Sequence, residues 1–267
     1  MSHTLAPFLL PAGFRRPPLR ALLHEGSLVE EAGRAVVRRG TGLVRRAEPL
    51  GEDDPVLLVP GFLAGDWTLT SLSDRLRRDG FRTYRSTIHA NVGCTINAAA
   101  LVEARLESIV ERRGQRVQIV GHSLGGMIAR GLVVRRPDLV SGIVTMGSPM
   151  QAPAAHHALL TGGVRLLLRL SAAGIPVMST DCVAGRCAHL SFTESRERLR
   201  PGVAMTNIYS RRDGIVDWHA CLDRQGTPVE VTASHIGMAF DPRVGDQVVA
   251  GLLANRRVAA EDLEQIA

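Results

Sequence analysis

From residue 55 onward, apolar runs alternate with segments of helical periodicity. Val56-Leu57-Leu58-Val59 is a continuous apolar run that stops at Pro60-Gly61-Phe62, the pattern of a buried strand. Residues 66–79 read as a helix and 81–88 as a second strand. Residues 95–113 carry Leu101, Leu106, Ile109 and Val110 at spacings that predict a helix with these side chains inward. Val117-Gln118-Ile119-Val120 is a third strand, followed at once by an amphipathic helix through Val134. Strands at 142–147, 203–209 and 229–232 and a closing helix at 243–255 complete the series. This alternation predicts an α/β fold, a mostly parallel central sheet flanked by helices on both faces.

Two stretches depart from the rhythm. Residues 150–201 separate two strands and hold helical patterns at 154–170 and 193–200, with Gly, Ser and Cys between them. A connection of that length is usually functional, and it leaves the sheet at the strand ends where open α/β folds place their ligands, so it reads as a helical cap or lid insertion. Residues 1–54 form an N-terminal helical, Arg-rich extension. Leu19, Leu22, Leu23, Val29, Ala32, Val36 and Val37 recur at helical spacing among Arg20, Arg34, Arg38 and Arg39, with the periodicity running to Val44. Two readings fit it: a helix packed on the body with its arginines solvated, or a basic amphipathic segment in peripheral contact with a membrane or set over an active-site mouth. The remainder, 55–267, reads as one domain.

Composition narrows the classes. With 45% hydrophobic and 22% charged residues the chain is neither disordered nor membrane-like. The formal charge is +6, but all 32 basic residues are arginine, which looks like codon bias and argues against a nucleic-acid partner. No secretory signal pattern is present near Met1, and no apolar run is long enough to cross a bilayer, so the expected location is cytoplasmic. Cys94, Cys182, Cys187 and Cys221 are then expected to be reduced. The spacing of Cys182, Cys187 and His189 matches no dependable zinc pattern.

The candidate chemistry centres on Gly121-His122-Ser123-Leu124-Gly125-Gly126, a G-x-S-x-G turn between a strand and a helix. Such a turn strains the serine backbone, lifts its Oγ clear and aims the first helical N–H groups at the same spot. A serine hydroxyl needs a base, and the base needs an orienting carboxylate. Asp213, just past the strand at 203–209, and His235, just past the last strand, supply both in the order Ser123, Asp213, His235. Asp217 and Asp138 are rival acids, the first a candidate helix cap and the second a surface turn. His89, His122, His156, His157, His189 and His219 are rival bases, none of them placed after the final strand. The backbone N–H of Leu124 and that of Phe62, in the loop after the first strand, are the candidate oxyanion donors.

These motifs resemble bacterial lipases and esterases of the α/β-hydrolase superfamily over residues 55 to about 253. The resemblance rests on Pro60-Gly61-Phe62, the Gly121–Gly126 turn, Gly147-Ser148-Pro149, Asp213-Gly214-Ile215-Val216 and Ser234-His235-Ile236-Gly237. The cysteines at 182, 187 and 221 are similar to those of actinobacterial relatives. It implies an α/β-hydrolase fold and a serine hydrolase acting on acyl esters or lipids through an acyl-enzyme, with no metal or organic cofactor. An acyltransferase or thioesterase would use the same triad, and a ligand-binding homologue without turnover is the third reading. Many lipases have His-Gly where this chain has Pro60-Gly61, and the insertion at 150–201 exceeds that of minimal lipases. Both departures bear on substrate size rather than reaction type.

Overall fold

The structure is a computed structural model that describes residues 5–40 and 50–266. Among the described residues the strands are β1 (Pro55–Val59), β2 (Arg82–Arg85), β3 (Val117–His122), β4 (Val140–Met146), β5 (Ala204–Tyr209) and β6 (Thr227–Glu230). The helices are α1 (Leu28–Gly40), α2 (Thr70–Arg78), α3 (Thr95–Arg113), α4 (Leu124–Arg135), α5 (Ala158–Ala172), α6 (Asp181–Ala184), α7 (Arg186–Glu194) and α8 (Pro242–Ile266). The strands form one sheet in the order β2-β1-β3-β4-β5-β6, every neighbouring pair parallel. This is the α/β-hydrolase fold. Strand order reverses between β1 and β3, and open α/β sheets open a ligand crevice at such a point.

Alternate residues of the central strands feed two cores. Leu57 and Val59 of β1 pack with Val102, Leu106 and Ile109 of α3 and Ile128 and Leu132 of α4. Val56 and Leu58 pack on the other face with Leu72 and Leu76 of α2 and Val244, Val248 and Leu252 of α8. A strand buried on both faces must be apolar throughout, and β1 is buried at every position. Each such side chain contributes about 1.5–3 kcal/mol when fully buried.

The sequence expectations differ from the structure at the edges. Leu101 of α3 is 58% exposed, because the buried arc runs through Ala98, Ala99, Val102, Leu106 and Ile109. The second and last strands are shorter or shifted, at Arg82–Arg85 and Thr227–Glu230, since both are sheet edges with mostly exposed or half-buried residues. The helix expected at 193–200 is absent: α7 ends at Glu194, and turns follow. The closing helix runs on to Ile266.

The N-terminal segment forms a 3₁₀ helix (Leu19–Ser27) leading into α1. The apolar stripe predicted there points outward: Leu19 is 76% and Val29 82% exposed. What the segment buries instead is Ala21 and the carboxylate-bearing Glu31. The last residues of the predicted stripe, 41–44, lie outside the described residues. Farther upstream, Leu5, Ala6 and Leu9 join a third core with Val164, Leu167, Met178 and Val183 of the 150–201 insertion. Backbone bonds fix that contact, with Ala6 N–H donating to Val183 O (3.0 Å) and Ala154 N–H to Leu9 O (2.8 Å). All four cysteines are free. Among the described residues no helix is long and apolar enough to cross a membrane.

Candidate active site

At the end of β3 the chain turns sharply into α4, and Ser123 occupies the corner with φ +52° and ψ −120°. A left-handed backbone at a non-glycine residue costs of order 1–3 kcal/mol, so the surrounding contacts must hold it there. They do so by close approach. A Cβ on Gly125 would lie 2.1 Å from the Val59 carbonyl oxygen at the end of β1, and one on Gly126 would lie 2.1 Å from Ser148 Oγ after β4. Ser123 N–H donates to Met146 O of β4 (2.8 Å), and Gly126 N–H donates to Ser123 O (3.1 Å).

The loops after β5 and β6 bring Asp213 and His235 together. His235 Nδ1 donates to Asp213 Oδ2 at 2.6 Å, and both side chains are almost completely buried. The other oxygen, Oδ1, accepts the N–H groups of Ile215 (2.9 Å) and Val216 (2.7 Å), so the carboxylate cannot swing away. Because Nδ1 carries the proton, Nε2 keeps its lone pair. Burial pulls the His235 pKa down, but the charge of Asp213, its hydrogen bond and the charge of Glu25 outweigh that, leaving it raised above 6.5.

His122, next to Ser123, bonds within the site as a support. Its ring lies 5.0 Å from that of His235, and its Nε2 is 2.9 Å from the His235 carbonyl oxygen. A carbonyl only accepts, so Nε2 of His122 bears the proton. Burial, with the nearby His235 charge adding to it, pushes the His122 pKa down to about 3, and the ring stays neutral. Among the described residues no hydrogen bond within 3.5 Å reaches the Ser123 hydroxyl. Catalytic hydrogen bonds without ligand are often long and tighten in the substrate complex.

The candidate oxyanion donors come from α4 and from the loop after β1. Leu124 is the first residue of α4, where a helix leaves its N–H groups unpaired. Phe62 follows Gly61, whose position faces Ser123 Cβ at 3.1 Å from an added methyl. Asn91, which sequence patterns did not single out, ties this loop down. Its Nδ2 donates to Pro60 O (3.0 Å), its carbonyl accepts Leu63 N–H (3.1 Å), and its N–H donates to Ala64 O (2.8 Å).

The rival groups have other partners. Asp217 caps a 3₁₀ helix through His219 N–H (3.1 Å) and binds His219 Nδ1 (2.7 Å), and Asp138 sits on the surface paired with Arg136. His157 caps α5 by accepting Leu159 N–H (3.1 Å), His189 packs on Phe8, and His89 is exposed. His156 lines the same cavity as Ser123. That cavity measures ≈ 120 Å³ and is mostly apolar, with Leu9, Phe62, Met127, Val164 and Phe192 among its walls. Among the described residues no cluster of His, Cys, Asp or Glu is arranged to hold a metal ion.

The profile of the PGAP1-like alpha/beta domain matches residues 88–164. A triacylglycerol lipase of Vibrio cholerae is 31% identical over 99 residues, covering 35% of this chain. The matched stretch spans about a third of that relative, 31% of its length. Among solved structures, the Bacillus licheniformis lipase BlEst2 in mature form superposes with a TM-score of 0.59 at 14% identity, covering 79% of this chain and 95% of that one. The Paleococcus ferrophilus monoacylglycerol lipase gives 0.55 at 17% identity, covering 77% of this chain and 96% of that one.

Proposed function

For this chain, a lipase- and esterase-like α/β-hydrolase in fold, we propose that Ser123, His235 and Asp213 form a triad that hydrolyses carboxylic esters. The observation that carries the reading is the 2.6 Å bond from His235 Nδ1 to a doubly anchored Asp213, with the His235 ring 5.0 Å from that of His122, whose chain neighbour Ser123 is held at φ +52° on the wall of an apolar cavity. Ser123 Oγ attacks the ester carbonyl and its proton passes to His235 Nε2. The N–H groups of Phe62 and Leu124 take the oxyanion. The ester C–O bond then breaks, with the proton going to the departing alcohol. Water, deprotonated by the same nitrogen, attacks the acyl-serine and releases the acid. The insertion at 150–201, with Leu5 and Leu9, encloses the acyl chain as a cap. The lipase relatives support lipid or other apolar esters as substrates.

Two measurements test this. Purified protein should cleave p-nitrophenyl esters and take up a fluorophosphonate on Ser123, located by mass spectrometry. Equal background rates from wild type and Ser123→Ala, with no adduct on the wild type, would refute it.

A further inference from the structure

The Arg-rich segment carries two carboxylates that leave solvent and reach into the loops bearing the acid and the base. Glu25 accepts three backbone N–H groups. Its Oε1 takes Gly214 (3.0 Å), the residue after Asp213, and His235 itself (2.9 Å), while its Oε2 takes Ile236 (3.2 Å). Glu31, 1% exposed, accepts the Ser234 N–H (2.8 Å) and Ser234 Oγ–H (2.6 Å). Ser27 Oγ donates to Glu31 as well (3.0 Å). A Cβ on Gly237 would lie 1.9 Å from Glu31 Oε2, so the glycine of Ser234-His235-Ile236-Gly237 makes room for this carboxylate.

We propose that Glu25, backed by Glu31, is a positioning residue for catalysis: one side chain from the N-terminal segment clamps the acid loop and the base loop to each other. The inference rests on the triad reading of Ser123, His235 and Asp213. The loops after β5 and β6 leave neighbouring strands, β6 at the sheet edge, and the bond between their side chains is only as well aligned as their backbones. Among the described residues Glu25 is the one group that bonds both the residue following Asp213 and the histidine. A backbone N–H bonded to a carboxylate makes a charge-assisted hydrogen bond, roughly twice as strong as a neutral one. Glu25 also adds negative charge beside His235. The other titratable groups facing that imidazole are Asp213, in direct contact, and neutral His122 across the ring, with Glu31 one residue away through Ser234.

Glu25→Ala removes all three hydrogen bonds, and Glu25→Gln keeps an acceptor oxygen but removes the charge. The experiment measures kcat, KM and the pH dependence of kcat/KM for a p-nitrophenyl ester, with thermal melts as a control for folding. Glu25→Ala should lower kcat about tenfold or more with little change in KM, because misalignment of reacting groups acts on the chemical step. In Glu25→Gln the acid limb should move to lower pH, since loss of a nearby negative charge favours neutral imidazole, and its fall in kcat should be the smaller. A scaffold role alone would lower the melting temperature and leave the acid limb in place, which overturns the proposal. So does a Glu25→Ala enzyme with wild-type kcat. If Glu25→Ala fails to fold, the pH profile of Glu25→Gln decides. A wild type that neither hydrolyses esters nor labels at Ser123 refutes the triad reading itself, an outcome distinct from an active wild type indifferent to Glu25.

Discussion

Replacing Asp213 with Asn tests the orienting carboxylate with almost no change in volume. Oδ1 accepts two backbone N–H groups, at 2.9 and 2.7 Å, and these decide which way an amide can face. Asparagine keeps both bonds only with its carbonyl oxygen at the Oδ1 position. Its NH₂ then stands where Oδ2 was, 2.6 Å from His235 Nδ1. Two donors cannot meet there, so Nδ1 gives up its proton and the proton moves to Nε2. The nitrogen that should take the serine proton is blocked. The same substitution in a serine protease triad lowers kcat about 10⁴-fold, which is about 5.5 kcal/mol at 1.36 kcal/mol per decade. Flipping the amide would restore the tautomer but strand two buried N–H groups at about 1–3 kcal/mol each. The expected loss in kcat therefore lies at about 10²–10⁴-fold, bounded below by the flip and above by the blocked tautomer. The assay is the initial rate of p-nitrophenyl butyrate hydrolysis by folded protein, compared with Asp217→Asn. Asp217 caps a 3₁₀ helix and pairs with His219, and asparagine caps about as well as aspartate, so Asp217→Asn should change stability by less than about 1 kcal/mol and spare the chemistry. An Asp213→Asn enzyme within about tenfold of wild type, or an Asp217→Asn enzyme that loses more, refutes the assignment of the acid.

Other outcomes follow from the same geometry. The pKa of His235 is raised, so the imidazole stays protonated to a higher pH than a free histidine; kcat/KM should fall in acid through one inflection above 6.5. His122, held neutral with a pKa of about 3, should add no second inflection, and a two-proton slope between pH 5 and 8 would contradict this. Gly126→Ala drives a methyl into Ser148 Oγ at 2.1 Å and should lower the unfolding free energy by about 1–3 kcal/mol in urea titrations. Ser148→Gly should recover much of that loss in the double variant, and simple additivity would show that the two residues do not collide. The ≈ 120 Å³ cavity is smaller than the roughly 150 Å³ cavity that accommodates benzene in another protein, so short acyl chains should be cleaved faster than long ones. Leu9→Ala, which enlarges a wall, should shift the preference toward longer chains, and an unchanged profile would place the acyl group elsewhere. Arg130 is fully buried, with Nε 2.9 Å from Asp223 Oδ2; Arg130→Ala should cost about 3–5 kcal/mol in the same titrations, because it leaves that carboxylate buried without its partner.

What the amino-acid order reveals about this site divides according to how local the determining contact is. The corner at Ser123 is written out locally: a β-branched strand, then glycines whose absent Cβ atoms admit Val59 and Ser148, then a helix. The two core faces are local as well, since alternate residues of one strand choose between them. Periodicity misplaces Leu101 because it scores hydrophobicity without knowing where the buried arc ends. The small residues Ala98 and Ala99, within one turn before the leucine, set that edge in α3. Residues 19–37 show the larger failure. Their leucines and valines recur at helical spacing, yet the face that docks is marked by Glu25 and Glu31, while the third glutamate, Glu30, stays on the surface with Arg34. No period of 2 or 3.6 can announce a contact between residues 210 apart in the chain, as Glu25 and His235 are. The available signal was chemical: carboxylates at 25 and 31, beside a chain rich in loops, are acceptors for backbone N–H groups left unpaired elsewhere. In this fold the loops bearing Asp213 and His235 present them, because the N–H groups of Gly214, His235 and Ile236 lie past the ends of β5 and β6, where no ladder uses them.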